Sequence, residues 1–128
     1  MVFTKGIFLL CAIILVAIAG VFFYNQSSAL HFGPPFVQAS KIEIAKALSS
    51  PGEVADKVIQ VEGKITRQCP SAGCWFFIED ASGKSLRVEL GHMGMKFPQR
   101  VGKVARVQGK LLKEGENQEL IGNSVEFQ

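Results

Sequence analysis

Apolar and polar positions divide this chain of 128 residues into three stretches. Gly6 to Tyr24 carries no charged side chain and is apolar almost throughout. An α-helix over it would reach roughly 28 Å at about 1.5 Å per residue, close to the hydrocarbon thickness of a bilayer. Residues 25–40 follow no period, and Pro34-Pro35 stiffens them. They read as a linker between an anchor or signal peptide at residues 1–24 and a domain at residues 41–128. Within that domain the alternation of half-buried strands takes over.

The domain opens on a short helix, Lys41 to Leu48, with Ser40 as its cap and Glu43 as the capping-box partner. Ile44, Ala47 and Leu48 form its apolar face, and Ser49-Ser50-Pro51-Gly52 ends it. Strand one spans about Val58 to Arg67, with Ile59, Val61, Gly63 and Ile65 on one side and Gln60, Glu62 and Lys64 on the other. Strand two is Cys74 to Glu79. Asp80-Ala81-Ser82-Gly83 turns the chain into strand three, where Leu86, Val88 and Leu90 alternate with Arg87 and Glu89. Gly91 to Gly102 breaks the pattern as a loop or short helix. Strand four runs from Val104 to Leu112, and Glu114-Gly115-Glu116-Asn117 leads into strand five, about Glu119 to Phe127. Five short strands, with an irregular insertion between the third and fourth, predict a mainly β fold: a small five-stranded Greek-key barrel of the OB type with one short helix. Gly63 and Gly109, each mid-strand, mark barrel corners. An open meander packed on the helix is the competing architecture, and its exposed strand edges count against it.

Charge adds location. All 11 acids, and every one of the 14 bases except Lys5, lie beyond the apolar run. Lys5 alone before the run favours a cytoplasmic N-terminus and an exported C-terminal domain. A cleaved signal peptide and a retained single-pass anchor both fit. Ala17-Ile18-Ala19 and Ser27-Ser28-Ala29 have the small residues of a cleavage site, while the length of the run favours the anchor. Cys11 follows bulky Leu10, which does not suit a lipoprotein cysteine. The nearly balanced charge of the domain gives no basic footprint, so no nucleic-acid partner is expected.

Cys69-Pro70-Ser71-Ala72-Gly73-Cys74-Trp75 is the densest chemistry in the chain. Together with Leu48 to Glu53, Lys57 to Ile65 and Phe97-Pro98, it resembles a family of small exported bacterial OB-fold domains of unknown function. That family carries a hairpin Cys, a Gly-Cys-Trp and a later Phe-Pro. The resemblance spans roughly Lys41 to Leu112. It implies the fold and an exported location, which together with the anchor points to the bacterial inner membrane with the domain periplasmic, and it brings no reaction. A looser likeness, in architecture alone, is to the membrane-anchored haem chaperone of cytochrome c maturation. That chaperone attaches haem through a His or Cys near the end of its barrel, followed shortly by a Tyr. Tyr24 is the only Tyr here, so the haem function does not carry over.

Several readings fit the two thiols. Cys69 shares parity with Ile65, and Cys74 with Phe76 and Ile78, so a regular hairpin would set both sulfurs on the core side. Opposed residues there stand about 4.5–5.5 Å apart at Cα, inside the roughly 4.4–6.8 Å a disulfide needs. A Cys69–Cys74 disulfide is therefore one expectation, in keeping with an oxidising compartment. A soft metal site is another. Gly91-His92-Met93-Gly94-Met95 would supply an imidazole and two thioethers, and with Cys69 and Cys74 these suit Cu(I). Copper is the one cofactor this ligand set admits; otherwise none is expected. Thiol–disulfide exchange ranks last, because the usual motif has two residues between its cysteines and a helix N-terminus.

Trp75 and Phe77 share the opposite face of strand two, near Arg87 and Lys64. OB barrels bind oligonucleotides and oligosaccharides on the strand two–three face, which makes Trp75, Phe77 and Arg87 a candidate platform. Packing of Trp75 under the N-terminal helix, or against a membrane partner, is the plainer alternative. Catalysis has no support: His31 falls in the linker, and no carboxylate pair or phosphate loop is present. The expected function is a non-enzymatic, membrane-anchored extracytoplasmic binding or accessory module beside a larger membrane complex. The alternative is a periplasmic copper- or haem-handling chaperone.

Overall fold

The computed structural model describes residues 2–24 and 29–128. In chain order its elements are α1 (Val2–Tyr24), β1 (Leu30–Phe32), β2 (Ser40–Lys41), α2 (Ile44–Ser49), α3 (Pro51–Val54), β3 (Ile59–Gln68), β4 (Trp75–Glu79), β5 (Ser85–Glu89), a 3-10 turn at Gly91–Met93, β6 (Val104–Glu114) and β7 (Asn117–Phe127). Helix α1 is exposed from Phe3 to Val21, and that stretch is long and apolar enough to cross a bilayer. The start of the linker, with residues 27 and 28 of the second cleavage pattern, lies outside the described residues.

The five expected strands close on themselves. β3 pairs with β4 and β4 with β5, both antiparallel; β5 pairs with β7 in parallel; β7 pairs with β6, and β6 returns antiparallel to β3. Closure removes the exposed edges of an open meander. Period-2 alternation fills the interior: Ile59, Val61 and Ile65 from β3, Phe76 and Ile78 from β4, Leu86 and Val88 from β5, Ala105 and Val107 from β6, and Leu120, Val125 and Phe127 from β7 are all buried. Each large aliphatic or aromatic side chain there contributes about 1.5–3 kcal/mol. A cluster of rings plugs one end, with Phe127 centred 5.8 Å from Phe76, 5.9 Å from Phe32 and 6.3 Å from Phe97. The expected corner at Gly109 falls at a break in the β6–β7 register, where a methyl group would run into the Ile121 carbonyl.

The N-terminal part of the domain departs from the sequence pattern. The helix begins at Ile44, not Lys41, and Ser40 lies in β2 instead of capping it. The cap comes from far along the chain: Asp80 Oδ2 accepts the Ile44 N–H at 2.8 Å. Burial alone would raise the Asp80 pKa, but the Ser82 hydroxyl and the N–H groups of Ile44 and Ser82 outweigh it and hold the carboxyl below its ordinary value. Pro51 does not simply end a helix; it opens α3.

Much of the stretch read as linker is also part of the barrel. β1 pairs antiparallel with β7, Leu30 opposite Phe127, where β7 extends past its pairing with β5. β2 pairs in parallel with β3, Ser40 opposite Ile59, before β3 meets β4. Strand stagger leaves these two edges open, and the N-terminal segment fills them. Buried polar groups fasten what lies between: Ser124 Oγ donates to the Pro34 carbonyl at 2.7 Å, and Gln108 Oε1 accepts the Val37 N–H at 2.9 Å. His31 is therefore on the barrel, 3.9 Å from Glu126, and not remote in a linker.

Candidate functional site

The hairpin cysteines are placed by a β-bulge. The β3–β4 register shifts between Ile65 and Arg67, so Gln68 points inward and the parity argument for Cys69 fails. Cys69 lies opposite Trp75, whose carbonyl accepts its N–H at 2.9 Å, and not opposite Cys74. Cys69 is nonetheless buried, at 8 % exposure, because the loop folds over it; Cys74 is half-buried. Both are free thiols.

Gln68 organises this loop. Its Nε2 donates to the carbonyls of Pro98 (3.0 Å) and Gly73 (3.4 Å), and its Oε1 accepts the Arg100 N–H at 2.8 Å. The Phe97 N–H reaches the Ala72 carbonyl at 2.9 Å, and Gln99 Nε2 reaches that of Cys69 at 2.8 Å. Gly73 has φ +65°, and a methyl group there would stand 2.7 Å from the Phe97 carbonyl oxygen. The hairpin Cys, the Gly-Cys-Trp and the Phe-Pro, separated in sequence, thus meet at one end of the barrel. Sequence reasoning missed Gln68; a polar side chain amid an alternating strand was the available signal.

The two thiols differ. The Ser71 hydroxyl, 3.3 Å from Cys69 Sγ, and then the backbone N–H groups of Ala72 and Ser71 lower the Cys69 pKa to about 6. Burial raises that of Cys74, and the neighbouring Cys69 and Glu89 add to it.

The soft-ligand residues lie in unlike surroundings. The turn at Gly91–Met93 starts beside Cys74, whose carbonyl accepts the Leu90 N–H at 2.7 Å. Met93, however, packs against the core, while His92 and Met95 are exposed. Among the described residues no group of three or more His, Cys, Asp or Glu could hold a metal ion.

The outer face of β4 and β5 does assemble. Trp75 and Phe77 are half-buried and meet edge to face, 6.2 Å between centroids. The bulge sets Arg67 opposite Phe77, and its guanidinium lies 4.9 Å from the Phe77 ring and 5.3 Å from Trp75. Arg87 covers Trp75 from the other side at 5.6 Å. It also pairs with Glu89 at 3.1 Å and, closely, with Glu119. Lys64, which sequence placed near the platform, sits farther along β3 opposite Glu79. Beside Phe77 and Arg87 opens a concavity of about 380 Å³, walled by Leu112, Glu114, Asn117, Gln118 and Glu119 of the β6–β7 hairpin. Gln118 Oε1 is buried there without a hydrogen-bond partner among the described residues.

No family model and no curated protein matches the chain. Solved structures do. The hypothetical protein YgiW from E. coli superposes with a TM-score of 0.51 at 16 % identity, over 76 % of this chain and 97 % of that one. A putative aspartyl-tRNA synthetase from Leishmania major Friedlin superposes with a TM-score of 0.52 at 13 % identity, over 80 % of this chain but only 22 % of the synthetase. At such identities the likeness shows the fold alone. The chain is an OB-type barrel preceded by an N-terminal apolar helix.

Proposed function

We propose that this chain is a non-catalytic, membrane-anchored extracytoplasmic binding module whose ligand surface is the outer face of β4 and β5. The observation that carries the reading is the Trp75–Phe77 pair beside a concavity of about 380 Å³ lined by the polar groups of Glu114, Asn117, Gln118 and Glu119. The part-exposed rings offer apolar contact to a ligand, and its hydroxyl-rich edges would meet Glu114, Asn117, Gln118 and Glu119. Arg87 is already neutralised by Glu89 and Glu119, so the face favours a neutral glycan over a polyanion. With α1 in the bilayer, the five residues between Tyr24 and Leu30 keep the start of β1 within about 20 Å of the membrane, next to membrane-bound complexes.

Trp75 is the only tryptophan, so its fluorescence reports directly on the face. Titrating the full chain in detergent micelles with chitotetraose is expected to shift or quench that emission, and Phe77→Ala to abolish the response. No change up to concentrations on the order of 1 mM, or an equal response from Phe77→Ala, would contradict the reading.

A further inference from the structure

Two cysteines that are not bridged to each other occupy one short loop, and they are not equivalent. Cys69 Sγ lies 3.3 Å from the Ser71 hydroxyl, at the bottom of a turn fastened by the Gly73 N–H to the Cys69 carbonyl (3.0 Å) and the Phe97 N–H to that of Ala72 (2.9 Å). Cys74 follows five residues on, half-buried, and directly precedes Trp75, whose carbonyl accepts the Cys69 N–H. We propose that Cys69 and Cys74 form a hydroperoxide-reactive redox pair, with Cys69 the attacking sulfur and Cys74 the resolving one.

Geometry selects the class of oxidant. Cys69 keeps only 8 % of its surface, which favours a small oxidant over the disulfide of another protein. The Ser71 hydroxyl is placed to donate to a Cys69 thiolate, and the lowered pKa of Cys69 agrees with that role.

The chemistry balances. Cys69 gives up its proton, and the thiolate attacks one peroxide oxygen. An S–O bond forms, the O–O bond breaks, and the departing alkoxide or hydroxide takes the proton to leave an alcohol or water. The Cys74 sulfur then attacks the Cys69 sulfenic acid. An S–S bond forms and the S–O bond breaks, and the released hydroxide takes the Cys74 proton as water. Two thiols lose two electrons and two protons, and one hydroperoxide is reduced. The sulfenic acid needs no long-range rearrangement, because its resolving thiol is already in the same loop. This pair is independent of whatever the aromatic face binds.

The test uses the full chain in micelles with Cys11→Ser, so that only the two loop thiols count. After reduction, hydrogen peroxide should remove both thiols with an intact-mass loss of two hydrogens, reversed by dithiothreitol. With Cys74→Ser added, dimedone should label Cys69; with Cys69→Ser added instead, Cys74 should stay unlabelled. Should either variant fold poorly, limiting iodoacetamide on the unsubstituted loop is read peptide by peptide, and Cys69 should be alkylated about tenfold faster than Cys74. Thiols that survive peroxide, a disulfide formed between molecules, or alkylation of Cys74 as fast as Cys69 would each overturn the proposal.

Discussion

The Cys69–Cys74 loop and the outer face of β4 and β5 meet at Trp75, yet they answer the demands of polar groups in opposite ways. In the loop, Gln68, Phe97, Gln99 and Arg100 supply a partner to one irregular carbonyl or N–H after another. On the face, Trp75 and Phe77 keep part of their rings exposed, and the buried Gln118 Oε1 has no hydrogen-bond partner among the described residues. A loop whose backbone groups are paired is a stable element, although Arg100 Nε beside it is itself buried without a partner among the described residues; the half-exposed aromatic face is the surface we propose for recognition. Substitutions should therefore divide cleanly, with those around the loop costing stability and those on the face costing recognition.

The largest effect should come from Phe97→Ala, which empties the ring plug beneath the loop. About 3–5 kcal/mol of stability should go, measured by urea unfolding. Gln68→Ala should follow, since it strands the Gly73 and Pro98 carbonyls and the Arg100 N–H; a loss of about 2–3 kcal/mol is expected by the same measurement.

Asp80→Asn should cost about 1 kcal/mol at neutral pH, because it weakens the cap on α2. Its pH dependence has a definite sign. Asp80 has a folded-state pKa below its unfolded value, so its contribution is complete above the unfolded pKa of about 4 and fades as pH falls through the lowered one. Unfolding curves of wild type and variant should converge in acid and separate toward neutrality. Phe77→Ala should be the mildest, within about 1 kcal/mol of wild type, while removing the fluorescence response to chitotetraose.

The contrast also explains what could be read in the sequence. Regular alternation placed β3 to β7 and most of the core, because a period of two survives wherever a strand is regular. It also put Trp75, Phe77 and Arg87 on one face. It failed at the bulge after Ile65, where one extra residue turned Gln68 inward, moved Arg67 over the aromatic rings and set Cys69 against Trp75. It failed again before β3. Leu30–Phe32 and Ser40–Lys41 are too short to show a period, and their pairing depends on strand edges left open elsewhere in the barrel. The cap of α2 escaped for the same reason, since Asp80 reaches Ile44 across 36 positions of sequence. Met93, one of the soft-ligand residues, packs against the core, as its flexible thioether side chain also allows.

The most direct measurement is a backbone amide chemical-shift map of the full chain in micelles, recorded with and without chitotetraose. Shifts confined to Arg67, Trp75, Phe77, Arg87 and the Leu112–Glu119 hairpin, with the Cys69–Gly73 backbone unmoved, are the expected result. Shifts centred on the cysteine loop, or a spectrum that does not change, would contradict the assignment of the β4–β5 face as the ligand surface.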